Sequence, residues 1–385
     1  MKRSVDVVVA GLGVVGSAVA DELSRRGLRV VGVDPRVPPH RLGSSHGETR
    51  MIRQAYSEEP LYVPLVLRAY QAWRDLERRS GRRLLFEAGG LVGGIPDGEL
   101  VRGAEVSART YGLRLERPDP EEAAERYPFL RLGADQHLVV DPRAGYLLAE
   151  TCVSAFLDQA RAAGAELRTG EALVGWTEQG SGDGAGLLVR TSAGTWPAGG
   201  LVLAAGAWTG RVAAAPALRL QPVRMVQHWF RAEDAGFDPR TLPVFLIEYR
   251  AGKILYGFPD VGSGVKAAFH HGGRPADPDR ARAPASREEV AAVREALGRH
   301  FPSARWRPVR SEPCLYTLTP DRHFVLDRHP ASRRVVVAAG FSGHGFKFAG
   351  ALAGIVADLL AERRPAFDPA PFRLRRFPPG TPGGR

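Results

Sequence analysis

Lysine is rare in this sequence, and two of its lysines stand where an ammonium group has a chemical use. Of the 53 basic residues only Lys2, Lys253, Lys266 and Lys347 are lysine, and all the others are arginine. Lys266 lies in VKAAFHH and Lys347 in GFKFAG, each among apolar and small residues. A buried ammonium is unfavourable unless it serves a site, so both positions are candidates for charge-based chemistry.

The segment around Lys266 predicts a β-hairpin with one polar face. Two strand-like runs, KILYGF and VKAAFHH, are joined by the glycine-rich PDVGSG. In strand geometry Lys266, Ala268 and His270 share one face, and Tyr256 on the partner strand can join it. These side chains then line a site. The alternative is an edge strand that exposes Lys266 to water.

Lys347 precedes a run of helix-forming residues, FAGALAGIVADLL, and its position predicts an anion site. A helix that starts near Gly345 places Lys347 in its first turn, where the helix macrodipole is already positive. The free backbone N–H groups and the ammonium together bind an anion strongly. The alternative is a lysine whose head group reaches out to water.

Two further segments hold candidate groups whose role their spacing leaves open. GSSHGETRMIRQAY, at 43–56, contains Arg50 and Arg53, which lie on one side of a helical turn if the segment is helical. Two ordinary arginines of a solvated loop explain that spacing equally well. In EPCLYTLTPDRHFVLD, Cys314 and Tyr316 share one face of a predicted strand. A lone cysteine in apolar surroundings is usually a small buried hydrophobe.

The opening segment predicts a dinucleotide-binding turn, with a strand at 5–10, a helix at 14–26 and a strand at 28–33. Gly11, Gly13 and Gly16 form a G-x-G-x-x-G between the first strand and the helix. Such a turn brings backbone close to a pyrophosphate and lets the helix pack on the strand. Asp34 ends the second strand, where a carboxylate binds the ribose hydroxyls. This acid disfavours NADP, whereas FAD and NAD both fit.

The remaining elements predict an α/β fold of two interleaved domains. Helices are predicted at 60–79 and near 150–164, and short alternating runs from about 218 to 269 predict an antiparallel sheet. The chain then returns to strand and helix. We expect a discontinuous, Rossmann-like nucleotide-binding domain interleaved with an antiparallel-sheet substrate domain. The expected nucleotide-binding domain comprises 1–82, 145–217 and 326–375, the substrate domain 83–144 and 218–325, and a flexible tail 376–385.

Composition and charge argue against several classes of protein. A chain of 385 residues, 44% hydrophobic and 25% charged, is typical of a globular protein of about two domains. The net charge of +11 does not predict nucleic-acid binding, because the arginines are scattered and often flank acidic residues. We recognise no signal peptide and no membrane span, and Cys152 and Cys314 cannot form a disulfide framework. We therefore expect a cytoplasmic protein without a nucleic-acid or membrane partner.

The motifs together resemble a known family. GxGxxG with Asp34, GSSHGETRMIRQAY, YGFP…GVK…H, EPCLYTLTPDRHF and GFSGHGFKF occur in this order in the monomeric sarcosine oxidase and N-methyltryptophan oxidase family. Its members are FAD-dependent amine oxidases of the D-amino-acid-oxidase group. The resemblance runs from about residue 5 to residue 360. It implies that FAD is the cofactor of the Rossmann-like domain, that no metal is used, and that the protein is a monomer.

The resemblance also implies roles for individual residues. Cys314 would hold FAD covalently, through a thioether to the flavin 8α-methyl group. Arg53 and Lys347 would clamp a substrate carboxylate, and Lys266 would lie over the flavin and activate O₂. The residues implied to line the substrate pocket are Tyr256, His270 and Tyr316. Those implied to contact or flank the flavin are Ser45, His46, Thr49, Arg50, Gly345 and Lys347.

The implied reaction is oxidation of a secondary amino acid by O₂ to an imine, which is hydrolysed while H₂O₂ is released. Sarcosine, giving glycine and formaldehyde, is the leading substrate. One alternative is a bulkier or cyclic amino acid of the N-methyltryptophan, pipecolate or proline type. Another, from the glycine motif alone, is an NAD-dependent dehydrogenase. We expect the roof of the pocket, which sets substrate size, in an irregular region at 221–250.

Overall fold

The computed structural model describes residues 4–180, 186–213, 215, 218–233, 236–250, 252–280 and 283–377. The predicted tail at 376–385 therefore lies outside the described residues from position 378 onward.

Numbered along the chain, the strands are β1 (Val5–Ala10), β2 (Val30–Asp34), β3 (Thr49–Ile52), β4 (Leu85–Glu87), β5 (Gly90–Gly94), β6 (His137–Asp141), β7 (Gly145–Leu148), β8 (Glu166–Thr169), β9 (Leu173–Gln179), β10 (Gly186–Thr191), β11 (Gly194–Leu203), β12 (Gln221–Glu233), β13 (Val244–Arg250), β14 (Lys253–Phe258), β15 (Val265–Phe269), β16 (Arg274–Pro275), β17 (Arg305–Leu318), β18 (Val325–His329) and β19 (Ser332–Ala339).

The α-helices are α1 (Val14–Arg25), α2 (Val63–Ser80), α3 (Glu99–Tyr111), α4 (Pro120–Arg126), α5 (Ala149–Ala162), α6 (Thr209–Val212), α7 (Arg287–His300) and α8 (Ala349–Leu360). Short 3₁₀ turns occupy Pro60–Tyr62, Gly206–Trp208, Phe346–Phe348, Ala370–Phe372 and Leu374–Arg376. The helices predicted at 60–79 and near 150–164 are thus confirmed as α2, with the 3₁₀ turn before it, and as α5.

A largely parallel sheet forms around the glycine motif. Its main order is β18-β19-β11-β1-β2-β8, and β10 and β9 continue antiparallel from β11. Only Asp6 among the residues of β1 is not buried, as expected of a central parallel strand covered on both faces. The second strand begins at Val30, two residues later than predicted, because Gly27 closes α1 with a φ of +83° and the chain needs two more residues to re-enter the sheet.

Helices α1, α5 and α8 cover one face of this sheet, and α1 contacts both of the others. The small residues of α1 permit the close packing that the glycine motif predicts. A Cβ on Gly16 would lie 1.8 Å from the carbonyl oxygen of Gly11, so α1 starts almost in contact with the turn. Helix α2 packs against α8 and α5 and buries Trp73 completely.

A second, mostly antiparallel sheet confirms the prediction for 218–269. Its order is β16-β12-β15-β14-β13-β5-β6, with β17 also paired to β12, and only β13 and β5 run parallel. The predicted hairpin is β14 and β15, in which Tyr256 faces Ala268 and Phe258 faces Lys266. The expectation of an irregular region at 221–250 is wrong, because the long strands β12 and β13 occupy most of it.

A three-stranded sheet, β3-β7-β4, carries the segment that contains the two candidate arginines. Arg50 lies within β3 and Arg53 directly after it, so the helical interpretation of their spacing is wrong. Pairing with β7 keeps this segment extended, from Thr49 opposite Leu148 to Ile52 opposite Gly145. No helix of the described residues is both long and apolar enough to cross a membrane.

Candidate active site

The glycine motif opens into a cavity of about 410 Å³ at the C-terminal edge of the first sheet. Gly11 has a φ of +92°, and a Cβ on it would lie 2.6 Å from the carbonyl oxygen of Ala204, so glycine is required there. The predicted cofactor residues that line this cavity are Gly11, Gly13, Asp34, Ser45, Arg50 and Gly345. Gly16 does not line the cavity, but its lack of a side chain lets α1 approach the glycine turn closely.

Asp34 is buried at the edge of the cavity and ties the second strand to the glycine turn. Its carboxylate accepts the backbone N–H of Leu12 at 2.8 Å and that of Arg36 at 2.9 Å. These bonds hold an anionic oxygen pair at the end of β2, where the ribose of a bound dinucleotide lies in Rossmann-like folds.

The loop after β2 is folded around Arg50 and fastened to α1. The Ser45 hydroxyl oxygen accepts the backbone N–H of Val14 at 3.1 Å. The guanidinium of Arg50 donates to the carbonyl oxygen of Ser44 at 2.9 Å and also to that of His46. The loop is thereby held between the glycine turn and the second sheet.

Two buried polar groups of this loop have no hydrogen-bond partner among the described residues. They are the hydroxyl of Thr49 and the imidazole of His46, whose Nδ1 lies 3.6 Å from a carboxylate oxygen of Glu312. Buried polar groups are normally satisfied, and Thr49 lines a second, smaller cavity, so its free hydroxyl fits a bound polar group there. His46 lines neither cavity, and its contact with the flavin stays a prediction. The described residues contain no group of three or more His, Cys, Asp or Glu that could hold a metal ion.

A second cavity, of about 80 Å³, adjoins the first and shares Arg50, Tyr316, Gly343 and Phe346 with it. Six residues predicted from sequence to act on substrate lie around this one space. They are Arg53, Tyr256, Lys266, His270, Tyr316 and Lys347. The cavity lining therefore comes mainly from β3 and the residues after it, from the hairpin of the second sheet, from β17 and from the segment that precedes α8.

Arg53 and Lys347 lie against the same aromatic ring. The Arg53 guanidinium carbon is 4.6 Å from the centroid of Tyr56, and the Lys347 ammonium is 5.2 Å from it. Both cations are at least nine-tenths buried. Arg53 also makes an ion pair with Glu58, which lines the same cavity. The sequence reasoning missed Glu58, although an acid five residues after a candidate arginine was a usable signal.

The pKa values of Lys347 and Glu58 depend on burial and on the charged groups beside them. Burial lowers the pKa of Lys347 to about 7, although Glu58 opposes that shift. Burial alone would raise the pKa of Glu58, but Arg53 and Lys347 bring it well below its usual range. At neutral pH the cavity thus holds the ionised pair Arg53–Glu58 and a lysine near its midpoint.

Lys347 is held by backbone contacts on both sides. It lies in the 3₁₀ turn Phe346–Phe348, so it precedes α8 instead of occupying its first turn as predicted. Its ammonium donates to the carbonyl oxygen of His344 at 3.0 Å, and its own carbonyl accepts the indole N–H of Trp73 at 2.7 Å. These contacts aim the side chain into the cavity and not toward solvent.

Lys266 lines the same cavity from β15 and is 2% exposed. Its ammonium donates to the carbonyl oxygen of Gly47 at 2.8 Å and to that of Thr49, and it lies 4.1 Å from the ring centroid of Phe258. Burial lowers its pKa well below the ordinary value of a lysine, and Arg50 adds to this shift. The alternative of an edge lysine exposed to water is therefore wrong.

The other predicted pocket residues are neutral at ordinary pH. Burial lowers the pKa of His270 to about 3 and raises that of Tyr256 to about 12. The ring of His270 lies 6.2 Å from that of Tyr256 and 6.1 Å from that of Tyr316. His344, which the sequence reasoning also missed, accepts or donates at 2.6 Å to the Tyr56 hydroxyl.

Cys314 is buried on β17, opposite Met225 of β12, and packs with Val223 and Met225. Its neighbours Leu315 and Tyr316 line the larger cavity, whereas Cys314 is absent from the residues that line either cavity. Both cysteines of the chain are free.

A dinucleotide-type cleft that meets a small pocket lined by buried cations is the arrangement expected of an enzyme that brings a bound dinucleotide cofactor against a small substrate. The family follows from comparison with known proteins. Residues 6–359 match the model of the DAO family, described as FAD dependent oxidoreductase. The chain belongs to this family, which decides against the NAD-dependent alternative.

Two curated relatives are similar to the chain over nearly their whole length. The chain is 37% identical to monomeric sarcosine oxidase of Streptomyces avermitilis, covering 98% of this chain and 99% of that protein. It is 36% identical to N-methyl-L-tryptophan oxidase of Yersinia pestis, covering 97% and 99%. Among solved structures, NikD, an amino acid oxidase essential for nikkomycin biosynthesis, superposes with a TM-score of 0.83 at 28% identity, covering 97% of this chain and 98% of that one.

Proposed function

We propose that this protein is an FAD-dependent oxidase of small secondary amino acids, with sarcosine as the leading substrate. The observation that carries the proposal is the pairing of two buried cations, Arg53 and Lys347, on a small cavity that opens to the cofactor cleft. Such a pair suits a carboxylate, because Arg53 offers a fork of donors and Lys347 a point charge. The sarcosine oxidase and N-methyltryptophan oxidase relatives support the same substrate class.

The proposed reaction converts sarcosine, water and O₂ into glycine, formaldehyde and H₂O₂. The N-methyl carbon loses a hydride equivalent, and water adds to the resulting imine. FAD, when bound, supplies the redox chemistry by accepting that hydride equivalent and passing two electrons to O₂. The protein itself orients the substrate, excludes water and places charge.

We assign a separate role in this reaction to each residue of the smaller cavity. Arg53 and Lys347 hold the carboxylate, which must compete with Glu58 for the guanidinium. Two cations also disfavour an ammonium, so the substrate binds with its amine neutral and its nitrogen lone pair available. Neutral His270 and Tyr256 shape the wall without adding charge. Lys266, in its protonated form, stabilises negative charge that develops on O₂ as it is reduced.

Cavity size favours the smallest substrates. The smaller cavity measures about 80 Å³, against about 410 Å³ for the cavity at the glycine motif. Sarcosine has six non-hydrogen atoms, whereas an indole-bearing amino acid has more than twice as many. We therefore place sarcosine ahead of N-methyltryptophan and of the cyclic amino acids.

Further expectations from sequence remain part of this proposal. We propose that Cys314 binds the flavin covalently, which is supported by its place on β17 beside Leu315 and Tyr316, two residues that line the larger cavity. We also propose that the protein is a cytoplasmic monomer and that the two large sheets belong to the two domains delimited above. The proposed FAD-binding residues are Gly11, Gly13, Gly16, Asp34, Ser45, His46, Thr49, Arg50, Gly345 and Lys347.

A peroxide assay tests the proposed function. Sarcosine, N-methylalanine, N-methyltryptophan, proline and pipecolate are compared with N-methylethylamine, which lacks the carboxylate. We expect the highest kcat/KM for sarcosine and little turnover of N-methylethylamine. Arg53→Met should lower kcat/KM for sarcosine by roughly 30- to 1000-fold, the effect of losing ~2–4 kcal/mol of binding and orientation. Equal oxidation of sarcosine and N-methylethylamine by the wild type would refute the carboxylate clamp.

A further inference from the structure

One peptide group connects Lys266 to an acidic residue outside both cavities. The carbonyl oxygen of Gly47 accepts the Lys266 ammonium at 2.8 Å. The N–H of the same peptide bond, on Glu48, donates to a carboxylate oxygen of Glu150 at 3.0 Å. The N–H of Gly47 donates to the other oxygen of Glu150 at 2.7 Å. Ammonium, peptide dipole and carboxylate thus follow one another in a hydrogen-bonded chain.

The same turn is held in an uncommon backbone conformation. Glu48 has a φ of +65°, in the left-handed region that non-glycine residues rarely adopt. The start of α5 fixes it from one side, because the N–H of Ala149 donates to the carbonyl oxygen of Glu48 at 2.7 Å while Glu150 accepts the two N–H groups. The carbonyl group of Gly47 is thereby aimed at Lys266, and the carbonyl group of Thr49, in β3, is the second acceptor of the ammonium.

The charges around Lys266 come from three elements. Arg50 on β3 disfavours the ammonium, whereas Glu150 on α5 and Glu48 in the turn favour it. Glu150 is the first of the favourable groups. The hydrogen bonds of one chain polarise and strengthen one another in a low-dielectric interior, so a carboxylate at one end of the chain stabilises a cation at the other end.

We propose that Glu150 is a positioning residue for the reaction with O₂, acting on Lys266 through the peptide bond between Gly47 and Glu48. Glu150 fixes the Gly47–Glu48 peptide, whose carbonyl oxygen holds the ammonium, and supplies the counter-charge that keeps it protonated. This inference rests on the proposed function, in which Lys266 serves the reaction with O₂. It assigns no contact between Glu150 and substrate.

The low lysine content provides a direct measurement. In protein labelled with ¹³Cε-lysine, the few lysine signals can be assigned with Lys→Met variants and followed by NMR as a function of pH. Glu150→Gln keeps the shape and one acceptor oxygen but removes the charge. We expect it to lower the pKa of Lys266 by about one pH unit, the effect of one carboxylate at short range in a protein interior.

A second experiment measures the rate at which reduced flavin reacts with O₂. The bound flavin is reduced by light, so that no amino-acid substrate is needed, and the protein is then mixed rapidly with O₂. Above the pKa of Lys266, Glu150→Gln should react with O₂ about tenfold more slowly than wild type, and lowering the pH should restore the rate. Anaerobic reduction by sarcosine should change little. Asp158→Asn is the matched control, since it removes a charge from the exposed side of the same helix, where Asp158 pairs with Arg82.

Two outcomes would overturn the inference. The first is an unchanged pKa of Lys266 and an unchanged pH profile for the O₂ reaction in Glu150→Gln. The second is a parallel loss of both half-reactions that low pH does not restore, which indicates a merely structural contact. Failure of the proposed function is a separate result, namely wild-type protein that oxidises none of the amino acids tested, because the photoreduced flavin still reports on Glu150.

Discussion

Carboxylate binding should depend on pH through Lys347. Burial lowers the pKa of this lysine from 10.5 to about 7. The empty site therefore carries the ammonium below about pH 7 and loses it above, and a carboxylate that needs the ammonium must bind together with a proton. The affinity for acetate or (methylthio)acetate should then fall about tenfold per pH unit above that midpoint, or ~100-fold two units above it, equivalent to ~2.7 kcal/mol.

Other groups of the cavity should not produce this slope. Glu58 stays ionised throughout, since its pKa is well below the usual range. Burial brings the pKa of His344 to about 4 and that of His270 to about 3, so both imidazoles are neutral. The phenol of Tyr256, with a pKa raised to about 12 by burial, keeps its proton.

The assay is a titration of the flavin absorbance with (methylthio)acetate between about pH 6 and pH 9, a range centred near the midpoint of Lys347. Lys347→Met should bind weakly and nearly independently of pH, which also separates Lys347 from the other buried lysine, Lys266. Lys253→Met is the matched control, because Lys253 is exposed at the start of β14 and should retain the wild-type slope. A flat wild-type profile, or the same slope in Lys347→Met, would refute the assignment.

Three further outcomes are expected. Wild-type protein precipitated with acid should stay yellow and gain the mass of one FAD, whereas Cys314→Ser should release its flavin; colourless wild-type precipitate would contradict the thioether. Lys266→Met should slow the reaction of reduced enzyme with O₂ by several orders of magnitude, as expected for the loss of ~3–4 kcal/mol or more of charge stabilisation, and equal damage to anaerobic reduction would exclude this role. Glu58→Gln should lower the free energy of unfolding by about 3 kcal/mol, because Arg53 stays buried without its counter-charge. Acetate should raise the melting temperature of this variant more than that of wild type, and equal shifts would argue against an anion site at Arg53.

Features that depend on neighbouring residues were predictable from the sequence. The strand, glycine turn and helix at the start follow from apolar periodicity and from the backbone freedom of Gly11. The hairpin that carries Tyr256 and Lys266 follows from alternation and a glycine-rich turn, and Tyr256 pairs with Ala268, on the face where it was expected. These signals are local, so a single sequence contains them in full. The family motifs then indicated which of the candidate residues to bring together.

The state of the site was decided by the tertiary structure. The spacing of Arg50 and Arg53 fits a helix equally well, and only pairing of β3 with β7 makes the segment a strand. The contacts of Glu150 with residues more than 100 positions away in the chain carry no local signal. The charge of Lys347 depends on desolvation summed over all its neighbours, including Glu58. These contacts and this desolvation arise only when distant segments of the chain pack together. The sequence by itself therefore determined which groups are candidates, whereas the tertiary structure determined how they are protonated and paired.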